Sequence, residues 1–344
     1  MNKVASDLSS VTTVGLDLAK QIFYIHAVNE AGDQVIAKAV RRRDLLTFFV
    51  SIPGCLVGME ACGSAHHWAR ELTALGHEVR LMPPAYVKPY VKRQKNDAAD
   101  AAAICEAVTR PSMRFVTPRT IENQAVLMHH KVREMLVRQR TQILNSLRGH
   151  LAEIGVIAAQ GPRNARTLAD LLRESDPSIP TEVARALRPL VTQLDHLEEE
   201  IANCDAEITG LAKADPISTK LMSIPGIGPI TASAIAGSVG DPSAFTGPRQ
   251  FAAFLGLVPR QNSSGGKTRL GRISKMGNAY LRKLLVVGAH SILYHRKRHS
   301  DPLRNWANRL METKPFKLVA VALANKLARI VFAVMKSGNA YRAA

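Results

Sequence analysis

Val11-Thr12-Thr13-Val14-Gly15-Leu16-Asp17 is a β-rich run that ends on a carboxylate. Its β-branched residues suit a pleated, half-buried surface. Ile22–Val28 and Val35–Val40 follow at hairpin distance, with the turn residues Asn29, Gly32 and Asp33 between them. Further along, Cys55–Glu60 ends on a second carboxylate, and Val79–Met82 supplies one more short apolar run. Helical patterns over Arg43–Val50, His66–Leu75 and Ala98–Val108 alternate with these runs. The order is three consecutive antiparallel strands and then αβαβα.

That is the element order of an RNase H/RuvC-like α/β domain, expected over residues 8–118. It is a fold-level analogy, so any activity has to be argued from a site. The next zone, 119–213, reads as helical. Apolar residues recur every three or four positions from Met128 through Val132, Met135, Leu136, Ile143, Leu147 and Leu151 to Ile154. Leu190, Leu194, Leu197, Ile201, Cys204, Ile208 and Leu211 form a heptad seam, the pattern of a coiled coil. Pro189 just before that seam predicts a helix start there. Gln160 to Pro180 reads as a turn or tip, and the two helices make either an arm for self-association or a packed hairpin. The last zone, 214–344, is expected to be mostly helical.

The chain has 344 residues, with 46 Lys plus Arg against 28 Asp plus Glu and a formal net charge of +18. Such an excess predicts a polyanionic partner, the bland alternative being a merely basic protein. Between Pro242 and Ser300 there is no acidic residue but eleven Lys or Arg. With 46% hydrophobic residues and only 5% aromatics, folded cores of Leu, Val, Ile and Ala are expected. No membrane association is expected. Asn325, Lys326 and Arg329 interrupt the apolar run from Leu318 to Val334, and Lys3 and Asp7 interrupt any signal-like start. Cys55, Cys62, Cys105 and Cys204 are scattered without a CxxC pair, which fits reduced thiols in the cytoplasm.

Four acids stand where chemistry would need them. Asp17 and Glu60 each end a strand, and Asp97 and Asp100 lie three apart at the start of a helix, on one face. Carboxylates converge only around a shared counter-charge. Mg2+ or Mn2+ supplies it through oxygen ligands and suits phosphoryl transfer. Taken singly, Asp17 as a turn residue or Asp97 as a helix cap is the plainer reading.

A second constellation runs from Pro259 to Lys275 and contains Ser263-Ser264-Gly265-Gly266. Arg260, Lys267, Arg269, Arg272 and Lys275 are placed to neutralise phosphates beside that small-residue loop. The loop is either a plain phosphate grip or the carrier of a serine nucleophile, which would need activation. Ile224-Pro225-Gly226-Ile227-Gly228 looks like the hairpin of a helix–hairpin–helix element, a phosphate binder or a plain connection. Lys88, Lys92, Arg93 and Lys95, with Tyr86 and Tyr90, form a basic patch before Asp97 that is suited to a nucleic-acid strand. The paired histidines His66-His67 and His129-His130 form no metal-ligand spacing and are expected to be solvated or interhelical.

Taken together these motifs resemble the DEDD transposases, the insertion-sequence recombinases related to the Piv-type DNA invertases. Gly15-Leu16-Asp17-Leu18-Ala19-Lys20, Glu60-Ala61-Cys62-Gly63 and Asn96-Asp97-Ala98-Ala99-Asp100-Ala101 are similar to that family's acidic motifs. Ile224 to Gly228, Gln250 to Arg260, and the Ser-Ser-Gly-Gly-Lys stretch through Lys275 are similar to its C-terminal transposase domain. The resemblance covers nearly the whole chain. It implies that Asp17, Glu60, Asp97 and Asp100 hold magnesium, and that a C-terminal serine forms a covalent phosphoserine link to DNA that is exchanged between donor and target strands. It also implies a structured noncoding bridge RNA as guide, and a dimer or tetramer with acids and serine from different chains. Counting forward from Pro259-Arg260 selects Ser264, and counting back from Ser274-Lys275 selects Ser263; Ser264 is the expected nucleophile. A RuvC-type hydrolytic nuclease with the same acids, and a non-enzymatic nucleic-acid scaffold, are the competing readings.

Overall fold

The computed structural model describes residues 7–92, 96–297 and 301–343. They fall into two compact units, Met1–Ile121 and Glu122–Ala344.

The first unit is mixed α/β. Its elements are β1 Thr13–Asp17, β2 Ile22–Val28, β3 Gln34–Arg41, α1 Leu45–Val50, β4 Leu56–Glu60, α2 Ala65–Ala74, β5 Glu78–Met82, α3 Pro84–Val87 and α4 Asp97–Val108. They make one five-stranded sheet in the order β3-β2-β1-β4-β5. The β1–β2 and β2–β3 pairs are antiparallel, whereas β4 runs parallel to β1 and β5 parallel to β4. The strands at the centre are apolar because both faces are covered. Val14, Leu16, Phe23, Val57 and Met59 are fully buried and pack in one core with Trp68 and Leu72 of α2. Each such side chain removed from water contributes about 1.5–3 kcal/mol. The opposite face of β1 meets α4 at Gly15. A Cβ there would lie 2.1 Å from the Ala101 carbonyl oxygen and 2.4 Å from the Cys105 nitrogen. Only glycine permits that crossing.

The second unit is mostly helical. It comprises α5 Ile121–Ala152, α6 Pro162–Arg173, α7 Thr181–Ala214, α8 Pro216–Leu221, α9 Pro229–Val239, α10 Pro248–Phe254, a two-stranded ribbon of β6 Pro259–Gln261 and β7 Leu270–Ile273, α11 Ala279–Tyr294, α12 Pro302–Met311 and α13 Phe316–Ser337. Two sequence expectations change here. The stretch read as a tip contains α6, because Ala165, Leu168 and Ala169 recur at helical spacing and are buried with Leu147, Leu151 and Leu194. The helix carrying the heptad seam begins at Thr181, so Pro189 lies inside it and offers no N–H to the Arg185 carbonyl. Leu194, Leu197, Ile201 and Ile208 of the seam are buried within the unit. On α5, by contrast, Met128, Val132 and Met135 are exposed.

The main core of this unit gathers Phe251 of α10, Leu281, Leu285 and Ile292 of α11, and Val319, Leu323, Leu327 and Val331 of α13. α13 has the length and apolar content of a membrane span despite its charged positions, and it serves here as a core helix, buried along one face. His130 of α5 is 1% exposed and hydrogen-bonds through Nδ1 to the Tyr280 hydroxyl (3.0 Å) and through Nε2 to Ser233 Oγ (2.9 Å). It therefore joins α5, α11 and α9, as an interhelical histidine.

Candidate functional site

Side chains alternate across a strand, so Asp17 lies on the same face as Gly15, and Glu60 on the same face as Gly58. Both glycines face α4: a Cβ at Gly58 would lie 2.8 Å from the Val108 side chain. The close crossing at Gly15 thus brings the first turn of α4 to the ends of β1 and β4. Asn96 caps that turn by accepting from the Ala99 N–H at 2.7 Å, which leaves Asp97 without a capping role. The Asp17, Asp97 and Asp100 carboxylates each offer an oxygen, and these all lie within 4.8 Å of one another. Asp97 and Asp100 sit in the first turn of α4, where the helix dipole favours negative charge.

Glu60 is outside that group of three. The parallel register pairs Leu16 with Met59, so Asp17 and Glu60 end neighbouring strands side by side. Cys62 reports the charge they create. Burial first, and then the Glu60 and Asp17 carboxylates, push its thiol pKa up. Three hard oxygen donors at this spacing suit a small divalent cation, whose ligand oxygens sit about 2.0–2.6 Å from the ion. The donor set therefore fits magnesium or manganese.

In the second unit the ribbon presents the serine loop. Ser264 and Lys267 bridge across the turn, with the Lys267 N–H donating to the Ser264 carbonyl at 3.1 Å. Gly265 and Gly266 between them have φ of +56° and +74°, the left-handed pair that a tight hairpin turn requires. The two serines differ in their partners. Ser263 Oγ accepts from the Arg269 N–H at 3.0 Å and from Gln261 Nε2 at 3.1 Å, pinning one side of the loop to the other. Among the described residues, Ser264 Oγ has no hydrogen-bond partner. Lys267, Arg269, Arg272 and Lys275 are exposed along the ribbon and just past its end, while Arg260 is turned to the Ser274 carbonyl at 3.3 Å.

The remaining sequence motifs divide. Ile224 to Gly228 does form a hairpin between α8 and α9, but Gly226 packs against Gly288 and Ile292 of α11. Of the basic patch, Lys88 and Lys92 are exposed, and Lys92 lies 3.6 Å from Glu106; Arg93 and Lys95 fall outside the described residues. His66 is buried and accepts from the Arg119 N–H at 3.2 Å, a structural role. Sequence reading gave no site role to Arg249 or to Arg329, which line a cavity with Gln261 and Leu270 at the root of the ribbon. The signal available for Arg329 was a charge set inside an apolar helix.

Comparison with known proteins shows the family. The family model for the "Transposase IS116/IS110/IS902 family" matches residues 218–304, and a second model of the same lineage, a DEDD transposase, matches 14–156. A Pseudomonas aeruginosa protein described as "Probable family 20 transposase" is 47% identical over 97% of this chain and 99% of its own length. The transposase for insertion sequence element IS1328 of Yersinia enterocolitica is 40% identical over 97% and 99%. The pilin gene-inverting protein of Moraxella bovis is 24% identical over 80% and 77%. Two acidic strand ends beside a helix carrying a third and fourth acid, a basic serine ribbon, and relatives matched end to end lead to one conclusion: the chain belongs to the IS116/IS110/IS902 transposase family.

Proposed function

We propose that the chain is an insertion-sequence recombinase that cuts and rejoins DNA through a covalent phosphoserine link, using Asp17, Glu60, Asp97, Asp100 and Ser264. The convergence of Asp17, Asp97 and Asp100 carries the reading. The strand order β3-β2-β1-β4-β5 supports an RNase H/RuvC-like first domain, with acids at the same sheet end and helix start. When bound, magnesium or manganese supplies the positive charge that lowers the barrier to phosphoryl transfer. Asp17, Glu60, Asp97 and Asp100 hold it.

The Ser264 hydroxyl attacks a backbone phosphorus. A Ser264 Oγ–P bond forms and a P–O bond to a deoxyribose breaks, with the serine proton passing to the leaving oxygen. A hydroxyl of the other DNA strand then attacks the same phosphorus, restoring Ser264 and completing the exchange without hydrolysis. The unpartnered hydroxyl of Ser264 and the engaged one of Ser263 support this choice of serine. Arg260, Lys267, Arg269, Arg272 and Lys275 grip donor and target DNA, and Lys88, Lys92, Arg93 and Lys95 contact strand or bridge RNA. Exposed Met128, Val132 and Met135 support self-association along the helical 119–213 region, giving a dimer or tetramer in which acids and serine meet between chains. The enzyme works in the bacterial cytoplasm, at the nucleoid.

The test mixes protein, the element's noncoding RNA, magnesium and end-labelled DNA of the element junction, and then looks for label on denatured protein. Wild type and Ser263→Ala are expected to carry label, and Ser264→Ala and Asp17→Ala to lose it. Metal-dependent cutting with no labelled protein in any sample would overturn the covalent route in favour of a RuvC-type nuclease.

A further inference from the structure

The cavity at the root of the serine ribbon has a volume of about 430 Å³, the scale of a small-ligand pocket. Three elements build it. α10 contributes Arg249, the ribbon contributes Gln261 and Leu270, and α13 contributes Asn325 and Arg329, one helical turn apart on the same face. The composition is unusual for a surface hollow. α10, the ribbon and α13 contain no acidic residue, and among the described residues no carboxylate pairs with Arg249 or Arg329. Two guanidinium groups on one hollow, with no carboxylate partner among the described residues, favour an anionic ligand there, and guanidinium suits phosphate oxygens. Leu270 is 63% exposed and offers an apolar surface beside them. Asn325 donates from Nδ2 to the Leu257 carbonyl at 3.0 Å, which holds its amide in place with the oxygen left as an acceptor. Gln261 lines the hollow and also donates to Ser263 Oγ, the neighbour of the loop's free hydroxyl.

Phosphate-binding cations, an apolar wall and amides for a base edge belong to one ligand class. We infer that this hollow holds a single unstacked nucleotide of the DNA strand lying along the ribbon. Its phosphate sits between Arg249 and Arg329, and its base rests against Leu270 with its edge near Gln261 and Asn325. Seating it there anchors the strand at the base of the same ribbon whose turn carries Ser264. The inference rests on the DNA-recombination reading for its choice of DNA, but not on the covalent step.

The experiment measures equilibrium affinity in EDTA, where no cutting occurs, for a paired DNA duplex and for the same duplex with a one-nucleotide bulge. A bulge presents the nucleotide already unstacked, so wild type is expected to bind it about tenfold tighter than the paired duplex. Arg249→Gln and Arg329→Gln should each abolish most of that preference, and the double variant should do no more, because both grip one phosphate. The slope of log affinity against log salt should fall by about 0.9 once, in the single and double variants alike. Arg309→Gln, an exposed arginine of α12 away from the hollow, should keep the preference. Equal affinity of wild type for bulged and paired DNA would overturn the proposal, as would additive slope losses or a stronger preference for a bulged RNA duplex. The labelled-protein assay is read separately, so failure of the covalent route leaves this result standing.

Discussion

The carboxylate corner of the first unit and the serine ribbon of the second stand on opposite kinds of scaffold. Asp17 follows the fully buried Leu16, Glu60 follows the fully buried Met59, and Asp97 starts a helix held by a glycine crossing. The ribbon, from Pro259 to Gly271, is exposed at nearly every position, and its shape rests on a two-glycine turn and a few cross-strand hydrogen bonds. Ligands for a cation have to be preorganised, since each carboxylate brought near another raises the energy of both. On the proposed reading Ser264 has to meet a bulky DNA strand, and a nucleophile with that task gains from a mount that can adapt. On that reading, rigid acids and an adaptable serine are two solutions to two different tasks.

The largest effect is expected where that rigidity is made. Gly15→Val would drive side-chain atoms into the α4 backbone and should cost about 3 kcal/mol or more, lowering the thermal midpoint of the first unit. An unchanged midpoint would show that the crossing is soft and would erase the contrast with the ribbon.

Acid should weaken both units by similar amounts. Burial pushes the pKa of His66 in the first unit and His130 in the second down to about 4, from an ordinary 6.5. Because the folded values are depressed, this stability is fully present above the ordinary value and is lost as pH falls from there toward 4. Each site is worth up to about 3 kcal/mol. Urea unfolding at pH 7 and pH 4.5 should show the loss, and His130→Gln should flatten it in the second unit while leaving the first unit's dependence intact. A pH profile identical to wild type in that variant would remove His130 from the account.

A smaller, local effect is expected at the ribbon. Gly265→Ala with Gly266→Ala places two Cβ atoms at positive φ, at about 1–2 kcal/mol per residue. Hydrogen exchange should accelerate at the Lys267 and Asn262 amides while the global midpoint stays put. A fall in the global midpoint would mean the ribbon is coupled to the core after all. The least effect belongs to Asn96→Ala, which removes one helix cap at a cost of about 1 kcal/mol. It should weaken divalent-cation binding, followed by calorimetry, more than it lowers the melting temperature. The reverse ranking would make the cap a stability device only.

Much of the first unit was legible because its signals are local. Alternation and turn residues marked all five strands to within a residue or two, and Asp17 and Glu60 were visible as strand ends. In the helical region local signals competed. Proline, glycine and polar residues at the borders of α6 hid a periodicity that burial of Leu168 and Ala169 makes decisive, and Pro189 marked a helix start that packing overrode. Glu60 was read together with the other three acids, but its carboxylate lies outside their group, a separation that spacing along the chain does not encode.

By itself the sequence determined the order of elements in the first unit and marked the four acids, the basic loop and its pair of serines, since each depends on residues a few positions apart. Only the tertiary structure decided that Asn96 and not Asp97 caps α4, that the Ser263 hydroxyl is held while that of Ser264 has no partner among the described residues, and that Arg249 and Arg329 share a hollow with Gln261. Periodicity and turn chemistry act over a few residues, whereas the meeting of groups far apart along the chain is set by how buried faces pack, as at Gly15 against Ala101 and Cys105.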